Sequence, residues 1–256
     1  MPLAWPITSW ERRYGVLRPA RTAGGYRLYS AADEDRARHP GALADAARVL
    51  GEHLDQFNEP AAQAALDQLF AKYTVETVLR DVVIPYLRDL GRRWADGTVS
   101  VAAEHLATNL LRGRLAGLAQ GWGSGTGPRA VLACAPGEQH DLALICFGIV
   151  LHRNGWRLEY LGADTPIEDV AHTASAASAD LAVLAAALPG RFDPFPADLA
   201  RLAALVPLAI AGVGATQAMA DLAGARLLAG DPVTEAELMP APPVSGSGHR
   251  EGDGDS

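Results

Sequence analysis

Ala130-Val131-Leu132-Ala133-Cys134-Ala135-Pro136-Gly137-Glu138-Gln139-His140-Asp141 is the stretch that decides the fold. It opens on an unbroken apolar run, turns at Pro-Gly, becomes polar, and is followed directly by the amphipathic stretch Leu142 to His152. A short apolar run bounded by turn residues reads as a buried strand, and a strand that feeds a helix is the first half of a βαβ unit. The same alternation then repeats. Strands are expected near 130 to 134, 156 to 161, 181 to 187, 207 to 211 and 226 to 229. Helices are expected near 141 to 153, 167 to 177, 194 to 204, 215 to 222 and 233 to 238. Five such units over residues 129 to 238 predict a doubly wound, five-stranded parallel sheet of Rossmann-like form. His140 then stands at the carboxyl end of the first strand, on the rim where open α/β sheets bind ligands, with an imidazole nitrogen available to a metal. At the end of strand four, Ala211-Gly212-Val213-Gly214-Ala215 places two residues without side chains where backbone can approach a bulky ligand.

Upstream, residues 43 to 122 read as a four-helix bundle. Leu43, Ala46, Val49, Leu50 and Leu54 recur at helical spacing, and Glu59-Pro60 opens a second helix with the stripe Ala65, Leu66, Leu69 and Phe70. Thr74 caps a third helix, in which Pro85 should cause a kink. Asp96-Gly97 turns the chain and Ser100 opens the fourth helix. Trp94 therefore stands at the end of helix three, and Glu104-His105 stand one turn into helix four, at the same end of the bundle. Gly121 to Pro128 reads as a flexible Gly/Ser/Thr linker to the sheet.

A helical pair carrying Trp94, nine intervening residues and then Glu104-His105, followed by a strand that ends in Glu138-x-His140, resembles the cobalamin-binding module over about residues 44 to 238. The resemblance implies a bundle that caps the upper face of the corrin with Trp94, Glu104 and His105. It implies a loop of Gly137, Glu138 and His140 whose histidine ligates cobalt from below, with Glu138 orienting the imidazole. Ala185, Gly212 and Gly214 would line the displaced nucleotide tail. Glu138 stands where the family often has aspartate, Ala143 where it has glycine, and Ala185 where it has serine. In light-sensing members of the family a histidine after the tryptophan captures cobalt once the carbon–cobalt bond is photolysed. Here Ala95 follows Trp94, leaving His105 as the nearby imidazole.

The N-terminal text Trp10-Glu11-Arg12-Arg13-Tyr14-Gly15-Val16-Leu17-Arg18-Pro19, then Gly24-Gly25-Tyr26-Arg27-Leu28-Tyr29-Ser30, resembles the recognition helix and wing of a MerR-type winged helix-turn-helix. Arg12, Arg13, Tyr14, Arg18, Tyr26 and Arg27 would face DNA, arginines reaching phosphates and the glycine pair making the wing turn. Only Met1 to Ser9 precede Trp10 where the motif has a whole helix, so residues 1 to 40 are expected to be a truncated remnant that binds DNA weakly at best.

The chain has 256 residues, 49% of them hydrophobic, enough for one or two substantial cores. Its net charge of −8 argues against a nucleic-acid partner for the chain as a whole. Residues 10 to 29 nonetheless hold five arginines against one glutamate. Cys134 and Cys146 have neither metal-ligand nor disulfide spacing and read as buried small hydrophobes. No run is long and apolar enough to span a bilayer, and no export pattern opens the chain, which points to the cytoplasm. Residues 239 to 256, rich in proline, glycine and serine, are expected to be a disordered tail.

Two function classes follow. One is a sensor or transcriptional regulator resembling the light-responsive, cobalamin-dependent MerR repressors, with adenosyl- or methylcobalamin gating contact with DNA, with another copy of the chain or with a partner regulator. The other is a corrinoid carrier for a methyltransferase or mutase. The basic N-terminal segment and the absence of a catalytic domain within the chain favour the regulator over an enzyme.

Overall fold

The computed structural model describes residues 40 to 239, together with the backbone of two short N-terminal strands. Those strands, β1 (Ala20–Arg21) and β2 (Arg27–Leu28), pair antiparallel with Ala20 opposite Leu28 and Arg21 opposite Arg27. Gly24-Gly25, expected from the sequence to make a wing turn, lie between these strands in the chain and outside the described residues. Of the residues expected to face DNA, Arg27 lies on β2, whereas Arg12, Arg13, Tyr14, Arg18 and Tyr26 fall outside the described residues, as does the expected tail from 240 onward.

Four helices form the bundle. Helix α1 is Pro40–Asp55 and α2 is Glu59–Lys72, where the Asn58 side chain accepts from the Ala61 N–H and Pro60 occupies the first turn. Helix α3 runs over 75 to 95 and α4 is Val101–Leu118, capped by the Ser100 hydroxyl on the Ala103 N–H. The kink expected at Pro85 takes a particular form. Proline has no N–H for the i−4 bond and its ring crowds the preceding turn, and the helix widens over Leu79–Val83 into a π-turn in which the Ile84 N–H donates to the Leu79 carbonyl. Leu50, Leu54, Leu66, Leu79, Leu111 and Leu115 fill the bundle's centre, each fully buried.

The second layer is a five-stranded sheet in the order β4-β3-β5-β6-β7, all parallel, from β3 (Arg129–Cys134), β4 (Arg157–Gly162), β5 (Leu181–Ala185), β6 (Leu208–Ala211) and β7 (Arg226–Leu228). Helices α5 (Leu142–Arg153), α6 (Ile167–Ala176), α7 (Pro196–Leu205), α8 (Gln217–Ala223) and α9 (Pro232–Glu237) complete it. Side chains alternate between the faces of β3. Ala130, Leu132 and Cys134 join a core with α5, α9 and the bundle, and Val131, Ala133 and Ala135 join a second core under α6, α7 and α8. The chain leaves β3 for β4 on one side and returns to β5 on the other. The gap between the ends of β3 and β5 is therefore the topological switch point, where such sheets bind ligands.

The expected linker is instead built into the structure. Trp122 is buried, its ring edge-on to Tyr160 at 5.3 Å between centroids, and its carbonyl accepts from the Leu158 N–H. Gly127 lies so close to Gly155 that a Cβ there would sit 1.8 Å from the Gly155 carbonyl oxygen. Composition signalled flexibility because glycine and serine dominate the stretch, but one tryptophan supplies enough apolar area to fasten it. No helix of the described residues is long and apolar enough to cross a membrane.

Candidate functional site

The loop from Ala135 to Asp141 leaves β3 at the switch point, and its shape follows from its hydrogen bonds. Gly137 takes a positive φ of 77° that a side chain would resist, and its N–H donates to Asp164 Oδ1 at 2.6 Å. Glu138 turns inward and is fully buried. Its Oε1 accepts from the His140 backbone N–H at 2.8 Å and lies 2.6 Å from His140 Nδ1, while Oε2 accepts from the Leu188 N–H at 2.9 Å. Burial alone would push this carboxyl up. The donors of His140 and Leu188 outweigh it and hold the group below the usual carboxylate range. The Glu138 contact fixes the imidazole's orientation, and with Nδ1 engaged, Nε2 is the nitrogen left for a metal on a side chain that is 56% exposed.

Gly212 and Gly214 pack against the chain after β5. A Cβ on Gly212, whose φ is +90°, would stand 2.3 Å from the Ala186 carbonyl oxygen, and one on Gly214 would stand 2.4 Å from that of Leu188. The Gly214 N–H donates to the Ala186 carbonyl at 3.0 Å. The expectation was that these glycines admit a ligand. What they admit in the structure is the chain after β5, whose Leu188 N–H holds Glu138. Ala185 closes β5, its carbonyl accepting from the Ala135 N–H at 2.9 Å, which ties the strand end to the start of the histidine loop.

At the far end of the bundle, Trp94 is on the last turn of α3 and 52% exposed, an unusual state for so large an apolar side chain. Arg93 beside it is paired with Asp55 at 2.7 Å, which pins this end of α3 to α1. Glu104 and His105 share the first turns of α4, with His105 Nε2 3.5 Å from Glu104 Oε2. Trp94 thus stands with Glu104 and His105 at one end of the bundle, and Glu138 with His140 at the sheet rim.

Sequence reading missed what connects the two groups. Arg112, on α4, forks onto Asp141 with contacts of 2.8 and 2.6 Å. Asp141 also accepts from the Tyr160 hydroxyl on β4 at 2.7 Å. Burial would raise the Asp141 carboxyl, but Arg112 and Tyr160 hold it below its ordinary value. Arg112 lies seven residues after His105, two helical turns and about 10 Å along the same face. The available signal was that seven-residue spacing together with an aspartate directly after the histidine.

Residues 46–118 match the family of B12 binding domains. The HTH-type transcriptional repressor CarA of Myxococcus xanthus is 31% identical over 248 residues, covering 82% of this chain and 82% of that protein. This chain belongs to the same family of HTH-type transcriptional repressors. CarH of Myxococcus xanthus, also an HTH-type transcriptional repressor, is 29% identical over 239 residues, covering 78% of the chain and 80% of its own length. The solved monomethylamine corrinoid protein of Methanosarcina barkeri superposes with a TM-score of 0.58 at 17% identity, covering 76% of this chain and 93% of that one, a likeness of fold. Both relatives are named as regulators rather than enzymes, and the B12 binding domain brings cobalamin as the cofactor of the repressor fold.

The residues present fit that group. His140 offers one imidazole nitrogen, with the other held by Glu138, a donor set suited to a metal that a macrocycle already holds. A corrin is such a macrocycle, and His140 would hold its cobalt. The exposed apolar side chains of Trp94 on the bundle and of Leu188 and Val213 at the sheet rim suit a large, partly apolar ligand.

Proposed function

We propose that the protein is a cobalamin-dependent transcriptional repressor in which His140 would ligate the cobalt and the α3–α4 end of the bundle would cover the cofactor. The carrying observation is the contact between the His140 imidazole and the buried Glu138 at the switch point, which fixes one ring nitrogen and leaves the other for a metal. Bound cobalamin would supply a cobalt centre with exchangeable ligands. The protein's part would be to hold His140 through Glu138, to exclude water with Trp94, and to bring Glu104 and His105 to the covered side of the cofactor.

The output would be cofactor-gated contact with DNA, to which the basic N-terminal segment adds an interaction that is weak by itself. The segment's paired strands β1 and β2 carry Arg21 and Arg27, residues of the type that reaches phosphates flanking a groove. Light is the signal to test first, with one difference from light-sensing relatives. Because Ala95 follows Trp94, a second imidazole would have to come from elsewhere, and among the described residues α4 carries His105 at this end of the bundle.

The test is to load the purified full chain with adenosylcobalamin in darkness and record its visible spectrum, beside the His140→Ala variant, before and after green light. Wild type should show a His140-dependent spectrum, and its retention of a DNA fragment from upstream of its own coding region should change on illumination. A spectrum and affinity indifferent to His140→Ala would refute the ligand assignment. DNA retention indifferent to both cofactor and light would refute the regulatory one.

A further inference from the structure

Among the described residues, pairs of opposite charge join the bundle to the sheet layer at three places, with Arg80 reaching Asp231 at 3.8 Å as well as Glu237. Glu76 of α3 meets Arg153 at the end of α5, Arg80 in the π-turn meets Glu237 of α9, and Arg112 of α4 meets Asp141. Only the third touches the cofactor loop, and it does so at the residue next to His140. Asp141 occupies the N-cap position of α5, where an aspartate ordinarily turns its carboxylate onto the free N–H groups of the first helical turn. Here the side chain makes no capping bond. Both oxygens go outward, to the guanidinium of Arg112 from the bundle and to the hydroxyl of Tyr160 from β4. The helix forgoes its own cap so that the residue after the histidine is held from two different layers.

His140 therefore sits between two anchored carboxylates. Glu138 sets the rotation of its ring, and Asp141 sets the position of its backbone, one Cα step of about 3.8 Å away. The Cys134 sulfur, 3.9 Å from the His140 carbonyl, packs beneath the same peptide. The first carboxylate is fastened within the sheet layer, while the second is fastened chiefly to α4, the helix that also carries Glu104 and His105. We propose that Arg112 and Asp141 are positioning residues for cobalt ligation: the bidentate pair registers His140 against α4, so that the lower ligand and the upper cap hold their positions together. The inference deepens the proposed cobalamin site and rests on it.

Coupling of this kind is reciprocal. If α4 sets the placement of His140, occupation of His140 by cobalt must in turn tighten the docking of α4 on the sheet. A purely structural salt bridge would support the fold without altering which atom is bound to cobalt.

The test uses the full chain with methylcobalamin, whose spectrum differs between the imidazole-bound and imidazole-free forms. Arg112→Met is the main variant, because the side chain is 44% exposed and its apolar replacement leaves the bundle core intact. Arg112→Lys and Tyr160→Phe are milder companions that keep one part of the arrangement. Arg112→Met should fold with an unchanged far-ultraviolet spectrum, bind methylcobalamin about 10- to 100-fold more weakly, and show a bound cofactor shifted toward the imidazole-free form. Arg112→Lys, which keeps the charge without the fork, should fall between it and wild type. Arg112→Met combined with His140→Ala should be no weaker than His140→Ala alone.

If wild type shows His140-dependent ligation while Arg112→Met and Tyr160→Phe both retain wild-type affinity and full imidazole ligation, the positioning role is overturned and the cobalamin site stands. A loss of affinity in Arg112→Met with the bound spectrum unchanged also overturns it, in favour of a simple docking contact. If wild type itself is indifferent to His140→Ala, the underlying site reading fails and the positioning role fails with it.

Discussion

Replacing Glu138 by glutamine keeps the shape of the site and changes one atom, so its effect can be worked out from the bonds. Oε1 accepts two donors, the backbone N–H of His140 at 2.8 Å and its ring Nδ1 at 2.6 Å, and Oε2 accepts one, the Leu188 N–H at 2.9 Å. Glutamine has one oxygen and one NH2. With the oxygen toward His140 it loses the Leu188 bond and sets donor against donor; reversed, it loses two bonds. The first arrangement is the cheaper, and it leaves a buried N–H without an acceptor at a cost of about 1–3 kcal/mol. The charge is lost as well, so the imidazole's orientation and basicity both weaken, which for a residue behind a metal ligand corresponds to about 10- to 100-fold in affinity. Urea unfolding of the cofactor-free protein and a cobalamin titration separate the two effects. Glu138→Gln should lower the urea midpoint and the affinity together. His140→Ala, which truncates a side chain 56% exposed, should lower the affinity while leaving the midpoint nearly unchanged. Equal midpoints and equal affinities for Glu138→Gln and wild type would refute the account of the buried carboxylate.

Three further outcomes test other parts of the structure. Gly212→Ala should destabilise the cofactor-free protein by at least about 2 kcal/mol, since it combines an unfavourable backbone conformation with a Cβ driven against the Ala186 carbonyl; an unchanged urea midpoint would mean that the loop has room after all. Trp94→Ala should change the stability of the cofactor-free chain by less than about 1 kcal/mol because the ring is 52% exposed, yet weaken cobalamin binding, and a large stability loss with unaltered binding would mark Trp94 as core instead of cap. Burial pushes the Cys134 and Cys146 thiols up to about 12, so neither should react with iodoacetamide at pH 8 until urea unfolds the chain, and fast labelling of the native protein would contradict the packing around β3 and α5.

The sheet was legible because each of its elements is a separate local signal. Ala130 to Cys134 can only be a short buried run, and Pro136-Gly137 can only end it, so the expected and observed strand bounds differ by a residue or so. The bundle was legible for the same reason, through leucines at helical spacing and the caps Thr74 and Ser100. Pro85 announced an irregularity but not its form, since whether a helix bends or widens into a π-turn depends on what packs against Leu79, Val82 and Val83. The Trp122 segment misled because composition weighs every residue equally, whereas a single indole inserted beside Tyr160 outweighs seven small or polar neighbours.

Gly212-x-Gly214 shows a subtler limit. The sequence announces that no side chain fits there, but not whether a ligand or the protein's own backbone comes close, and the structure has backbone. That backbone is still part of the site. Gly214 holds Ala186, the same turn presents the Leu188 N–H, and Leu188 holds Glu138, which holds His140. A residue in the turn after the fourth strand of the sheet thereby bears on an imidazole beyond the end of the first. Arg112 reaches the adjacent residue from another layer altogether. The first link has no sequence signature and the second only the seven-residue spacing from His105 to Arg112, because both join positions far apart in the chain and depend on how the layers pack. The histidine can be read from its motif, but its orientation and height are set by side chains and peptides that only the tertiary fold brings together.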